Sequence, residues 1–235
     1  MKHGRVTAPA GTPPSVKRGG EGRCRQDPPS RGYIKLSQAA DAFNFDFHGK
    51  TVLDIGSSTG GFTQYALDHG AKKVIAVEKG TNQMMKPLRY DPRVVLHEKT
   101  DIFGFELGAG DGTGRDPAEL SVRGAAGGKV PAGPAPSVIV ADVSFVGLTK
   151  VLAYAKRHLA DHHTDFLVML KPQFEARPDQ LNRGVVKNER IRRDIIKEFE
   201  QWLKNNNFII INKRDNTLKG KTGNQERFYY LKLAK

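Results

Sequence analysis

Two hydrophobic periods alternate along the chain. Thr51–Ile55, Lys73–Val77, Pro92–Leu96, Ser137–Ala141 and Phe166–Leu170 are short runs rich in Val, Ile and Leu, which predict buried strands. The stretches between them carry apolar residues at helical spacing. They predict helices over Phe62–His69, ended by Gly70 as a C-cap, over Thr81–Arg89, and over Gly147–Leu159. Upstream, Ile34, Ala39, Ala40 and Phe43 suit a helix from 34 to 43. Downstream, residues 176–187 read as a polar loop. Asn188 then caps an amphipathic helix reaching about Asn206, with Ile191, Ile195, Phe199, Trp202 and Leu203 on one face. Phe208–Asn212 and Glu226–Leu233 close the chain as strands, joined by the polar turn Arg214–Gln225. Strands alternating with helices, followed by a closing pair, predict an α/β fold. It is a Rossmann-like, seven-stranded, mostly parallel sheet with the last strand antiparallel.

Two stretches fall outside this pattern. Residues 1–31 are rich in Pro, Gly, Arg and Lys and read as a disordered basic arm. Residues 108–137 are Gly/Ala/Pro-rich and read as a low-complexity insertion within a domain spanning 32–235. Charge follows the same division. The net charge of +13 sits at the two ends: residues 1–32 hold seven Lys/Arg against two Asp/Glu, and residues 177–235 hold fifteen against seven. The middle is neutral, so the charge points to a neutral body with basic flanks for capturing a polyanion such as RNA. No apolar run approaches the ~18 residues of a membrane span, and the N-terminus has no apolar h-region. Cys24 is the single cysteine, which excludes an intramolecular disulfide and a cysteine-cluster metal site. These features predict a cytoplasmic protein with no metal.

The first strand runs into Asp54-Ile55-Gly56-Ser57-Ser58-Thr59-Gly60-Gly61-Phe62, a small-residue turn that opens a helix. Such a turn lets a nucleotide-like cofactor approach the backbone closely. It lacks the Lys-Ser/Thr ending of a P-loop and the G-x-G-x-x-G spacing. Asp54 would repel a phosphate but suits a ligand with a cationic amino group, which points to S-adenosylmethionine. Glu78 ends the second strand about 20 residues further on, where a ribose diol is gripped in Rossmann-like sites. Lys79 follows it, and Thr100-Asp101 follow the third strand on the expected adenine side. Asp142 and Lys171 end the fourth and fifth strands, where a substrate must meet the cofactor. Lys35 falls in the first turn of its predicted helix, where the dipole disfavours a cation.

Several ordered motifs carry a resemblance. They are the SRGxxKL pattern at Ser30–Leu36, DIGSSTGGFT at Asp54–Thr63, ADVSF at Ala141–Phe145, LKPQFE at Leu170–Glu175, GVV at Gly184–Val186 and GNQERFYYL at Gly223–Leu231. Together they resemble the TlyA (hemolysin A) family of ribosomal-RNA 2′-O-methyltransferases, whose catalytic domain is FtsJ-like. The resemblance implies a class I methyltransferase fold, S-adenosylmethionine as donor, ribosomal RNA or ribosomal subunits as partner, and a Lys-Asp-Lys-Glu tetrad. Matched motif by motif, the tetrad falls on Lys35, Asp142, Lys171 and Glu226. A ribose 2′-hydroxyl is a poor nucleophile and needs a base and orientation beside an electrophilic methyl. A lysine serves as that base only when nearby positive charge, such as a second lysine and a sulfonium, weakens its hold on the proton. The resemblance therefore assigns Lys171 as proton acceptor, Lys35 to steering the hydroxyl, Asp142 to orienting Lys171, and Glu226 to holding the lysines in register.

The family's members begin with an S4 RNA-binding domain. Here the basic arm stands in that place, which leaves RNA docking to the arm, to the C-terminal cationic surface or to a partner. Two other readings stay open. Asp142-Val143-Ser144-Phe145 occupies the place of the Asp/Asn-Pro-Pro-aromatic motif of base methyltransferases, though it lacks the prolines and Lys171 argues against it. An RNA-binding or hemolysin-like protein without methyl transfer is the third reading, and the presence of all four tetrad residues argues against that.

Overall fold

The computed structural model describes residues 30–108, 135–220 and 223–235. Most of the basic arm and of the 108–137 insertion therefore lies outside the described residues. Seven strands form one sheet in the order β3-β2-β1-β4-β5-β9-β8. These are β1 (Thr51–Ile55), β2 (Lys73–Val77), β3 (Val94–His97), β4 (Val138–Ala141), β5 (Asp165–Leu170), β8 (Phe208–Asp215) and β9 (Arg227–Leu233). The first five run parallel, and β9 is antiparallel to both β5 and β8. The sheet expected from the pattern is the one that forms.

Alternation of side chains along each strand divides the interior in two. On one face Leu53, Ile55, Ile139, Phe166 and Val168 pack under α4 (Leu148–His158) and α6 (Glu189–Asn205). On the other, Val52, Val74, Val140, Leu167 and Met169 pack under α1 (Arg31–Phe43) and α2 (Gly61–Asp68). The central strands are apolar on both faces because helices cover both, the usual condition of a parallel sheet. Among the described residues no helix is long and apolar enough to cross a membrane.

Four local differences from the sequence reading have physical causes. α1 starts at Arg31 because the Ser30 side chain accepts a hydrogen bond from Tyr33 N, an N-cap. Ser30 and Arg31 thus open a helix, and Lys35 lies in its second turn. The cost of that lysine is burial, at 7% exposure, rather than the dipole. The helix expected over Thr81–Arg89 shrinks to α3 (Lys86–Arg89), since Pro87 favours a first turn and Asn82 takes a left-handed φ of 55°. The 176–187 loop folds into a 3₁₀ turn (Pro178–Gln180) and a hairpin of β6 (Leu181–Asn182) and β7 (Val185–Val186). β8 runs on to Asp215, where its carboxylate meets Arg192 and Arg227, each at 2.6 Å.

Candidate active site

The glycine turn closes β1 onto β2: the amides of Gly56 and Ser57 both donate to Val77 O, at 2.9 and 3.3 Å. Gly56 (φ 79°) and Gly60 (φ 89°) adopt left-handed conformations, as does Ser58 at 48°. A Cβ on Gly56 would stand 3.1 Å from Asp142 O, and one on Gly60 would collide with Leu88. The turn is thus wedged between β4 and α3. Glu78 braces it from β2, accepting from Ser58 N at 2.8 Å and Gly80 N at 2.7 Å.

Asp54 lies beneath the turn and is fully buried. It shares the face of Val52, so it points at α2, where Thr63 Oγ1 donates to its Oδ2 at 2.6 Å. Its Oδ1 and the buried Ser57 Oγ have no hydrogen-bond partner among the described residues. Burial pushes the Asp54 carboxyl up to about 7 against the pull of the Thr63 bond, and the nearby charge of Asp142 adds to the rise.

At the neighbouring strand ends two ion pairs form. Lys171 Nζ stands 2.6 Å from Asp142 Oδ1, an ion contact, and donates a hydrogen bond to Ser144 Oγ at 2.8 Å. Lys35 Nζ donates to Glu226 Oε2 at 2.5 Å, with both residues buried. Sheet register brings the pairs together. Leu170 is the partner of Arg227 across β5 and β9, so Lys171 and Glu226 occupy the next opposed positions at the end of that ladder. Ile55 is likewise the partner of Ala141, which sets Asp142 beside Gly56. Residues 191 positions apart in the chain, Lys35 and Glu226, are in direct contact.

The remaining candidates spread around the turn. Lys79 pairs with Asp101 at 2.9 Å on the exposed rim, and that hydrogen bond holds the Asp101 carboxyl below its ordinary range. Asp101 also caps a 3₁₀ turn (Ile102–Gly104), and Thr100 N donates to Glu78 O at 3.0 Å. Thr59 is exposed, and its carbonyl accepts from Met85 N at 3.3 Å. Gly61 packs so close to α1 that an added Cβ would collide with Ser30 Oγ. Phe62 turns inward, its ring 5.9 Å from that of Phe228.

Four residues that the sequence reading quoted only as parts of motifs take individual roles here. Thr63 and Ser144 ligate site residues. Glu175 of the LKPQFE motif stays off the site and caps α4 by accepting from Leu148 N and Thr149 Oγ1. Burial raises its carboxyl. Phe145 is 94% exposed with φ at 64°, its ring 5.5 Å from Phe174 beside Lys171. A bulky residue in that conformation is held there at a cost. Its advance signals are its place three residues after Asp142 and its membership of the ADVSF motif.

The strand order, the glycine turn at the carboxyl end of β1 and the charged cluster beside it define a class I methyltransferase. The FtsJ-like methyltransferase pattern matches residues 28–233, and the chain belongs to that family. It is 35% identical to "Hemolysin A" of Brachyspira hyodysenteriae, covering 84% of this chain and 73% of that one. It is 33% identical to the "16S/23S rRNA (cytidine-2′-O)-methyltransferase TlyA" of Mycobacterium tuberculosis, covering 86% and 68%. Among solved structures, a candidate hemolysin from Lactococcus lactis superposes with a TM-score of 0.71 at 32% identity, covering 86% of this chain and 87% of that one.

Proposed function

We propose that the chain transfers a methyl group from S-adenosylmethionine to a ribose 2′-hydroxyl of ribosomal RNA, acting in the cytoplasm. The observation that carries this reading is the pair of ion contacts, Lys171–Asp142 and Lys35–Glu226, set at opposed positions beside the glycine turn. The rRNA 2′-O activity in the name of the Mycobacterium tuberculosis relative supports it.

The turn fits the donor. Gly56 and Gly60 keep its backbone open, and the orphaned Asp54 Oδ1 and Ser57 Oγ are buried polar atoms that need partners. Asp54 and Ser57 would hold the amino-acid end, Glu78 the ribose, and the Thr100–Asp101 segment the adenine side. When bound, S-adenosylmethionine supplies the electrophilic methyl.

The chain's own residues do the rest. Asp142 and Ser144 fix Lys171 Nζ through contacts of 2.6 and 2.8 Å. Lys171 is the proton acceptor for the 2′-hydroxyl as its oxygen becomes nucleophilic. Glu226 anchors Lys35, whose Nζ then orients the hydroxyl. Proximity supplies much of the acceleration, because both partners are positioned by rigid strand ends.

Labelled S-adenosylmethionine incubated with separate ribosomal subunits, followed by mapping of alkali-resistant positions, tests the reading. A 2′-O-methylated nucleotide is expected. Label confined to a base or to protein overturns it.

A further inference from the structure

The β6–β7 hairpin is attached to both arms of the site. The segment that follows Lys171, α5 (Pro172–Glu175), packs on β7 and on α6. From the other arm, the buried Asn224, two residues before Glu226, accepts from Val186 N through Oδ1 and donates from Nδ2 to Gly184 O, both at 3.0 Å. Arg192 at the start of α6 reaches Gln225 O at 3.3 Å. The hairpin and the first turn of α6 are therefore locked to the edge of the site.

That edge is cationic and exposed. Arg183, Lys187 and Arg190 are exposed, and none has an ion-pair partner among the described residues. The cations packed beside them are paired: Arg192 and Arg227 meet Asp215. The one acid in this stretch, Glu189, faces Arg192 at 3.5 Å. Arg183 and Gly184 form the hairpin tip with φ of 48° and 80°. This is a two-residue turn of the kind that favours Asn-Gly. An arginine at its first position costs about 1–2 kcal/mol, and among the described residues its side chain has no ion pair to offset it.

We infer that the β6–β7 hairpin and the first turn of α6 form a phosphate-holding rim for single-stranded RNA, with Arg183, Lys187 and Arg190 neutralising phosphates that flank the target ribose. The inference rests on the proposed function. A ribose inside a chain brings a phosphate on each side, and a rim fixed to the segments carrying Lys171 and Glu226 would set the register of the 2′-hydroxyl.

The test is equilibrium binding of a mixed-sequence single-stranded RNA of about 16 nucleotides to the full chain across a salt series, with steady-state methylation of ribosomal subunits alongside. Each lost phosphate contact lowers the salt slope by about 0.7 for single strands. The double variant R183Q/K187Q is expected to lower it by about 1.4 and to raise KM for subunits about tenfold, with kcat and S-adenosylmethionine affinity held. K204Q, a charge loss in the last turn of the same helix, is expected to leave KM unchanged. An unchanged slope and KM in R183Q/K187Q, or an equal loss in K204Q, overturns the inference. Wild-type protein that methylates no RNA overturns the proposed function instead, and the salt slope still decides the rim.

Discussion

The glycine turn and the paired charges lie side by side at the carboxyl ends of β1, β4 and β5, but they are assembled differently. The turn is continuous in sequence, from Asp54 to Phe62, and is held by backbone amides, left-handed glycines and one buried carboxyl that has no ion pair among the described residues. The charged cluster draws on α1, β4, β5 and the segment before β9, and every member is balanced by an opposite charge. At the turn, Asp54 Oδ1 and Ser57 Oγ are buried without a hydrogen-bond partner among the described residues. In the cluster, Lys35 pairs with Glu226 and Lys171 with Asp142. The physical lesson is that binding tolerates local strain, whereas proton transfer demands fixed positions set by the sheet.

Five variants test that contrast. Lys171→Ala should reduce methyl transfer by about 10³-fold or more while leaving S-adenosylmethionine affinity unaltered; single-turnover kinetics with a parallel binding titration read both. A matching loss of cofactor affinity would erase the separation between the two regions. Glu226→Gln leaves the buried Lys35 without its counter-charge and should cost about 3–5 kcal/mol in chemical denaturation. Changing both partners, Lys35→Met with Glu226→Leu, should recover most of that stability and none of the activity.

Gly60→Ala tests the turn. A methyl group there meets Leu88 in a left-handed conformation, so stability should fall by about 1–2 kcal/mol, and cofactor affinity should fall while methyl transfer at saturation holds. The last effect is pH-dependent and concerns Asp54. Its folded-state carboxyl is raised to about 7, above the ordinary unfolded value. The unfolded chain therefore releases this proton first as pH rises. The stability Asp54 contributes is complete in acid, declines by about 1.4 kcal/mol per pH unit between about 4 and 7, and levels off above. Asp54→Asn keeps the Thr63 contact and should flatten that slope in ligand-free protein. A slope of the same size in the variant would assign the effect to another group.

The amino-acid pattern alone determined much of this. Runs such as Lys73–Val77 are apolar enough to be buried on both faces, and that property is local, so the strands, their order of appearance and the antiparallel last strand were legible. The glycine turn was legible because its conformation depends on the residues within it. Boundaries failed where one side chain decided them: the Ser30 hydroxyl moved the start of α1, and the hydrogen bonds that pin β6 to β7 and β7 to Asn224 turned a loop into a hairpin. The position of the tetrad residues came from motif resemblance. Their contacts came only from the fold, because Lys35 and Glu226 meet through helix packing and strand register across nearly the whole chain. The reversal of Lys35 from a dipole cost to a burial cost and the full enclosure of Asp54 have the same origin. Exposure is a property of what packs against a residue, and only the tertiary structure supplies those neighbours.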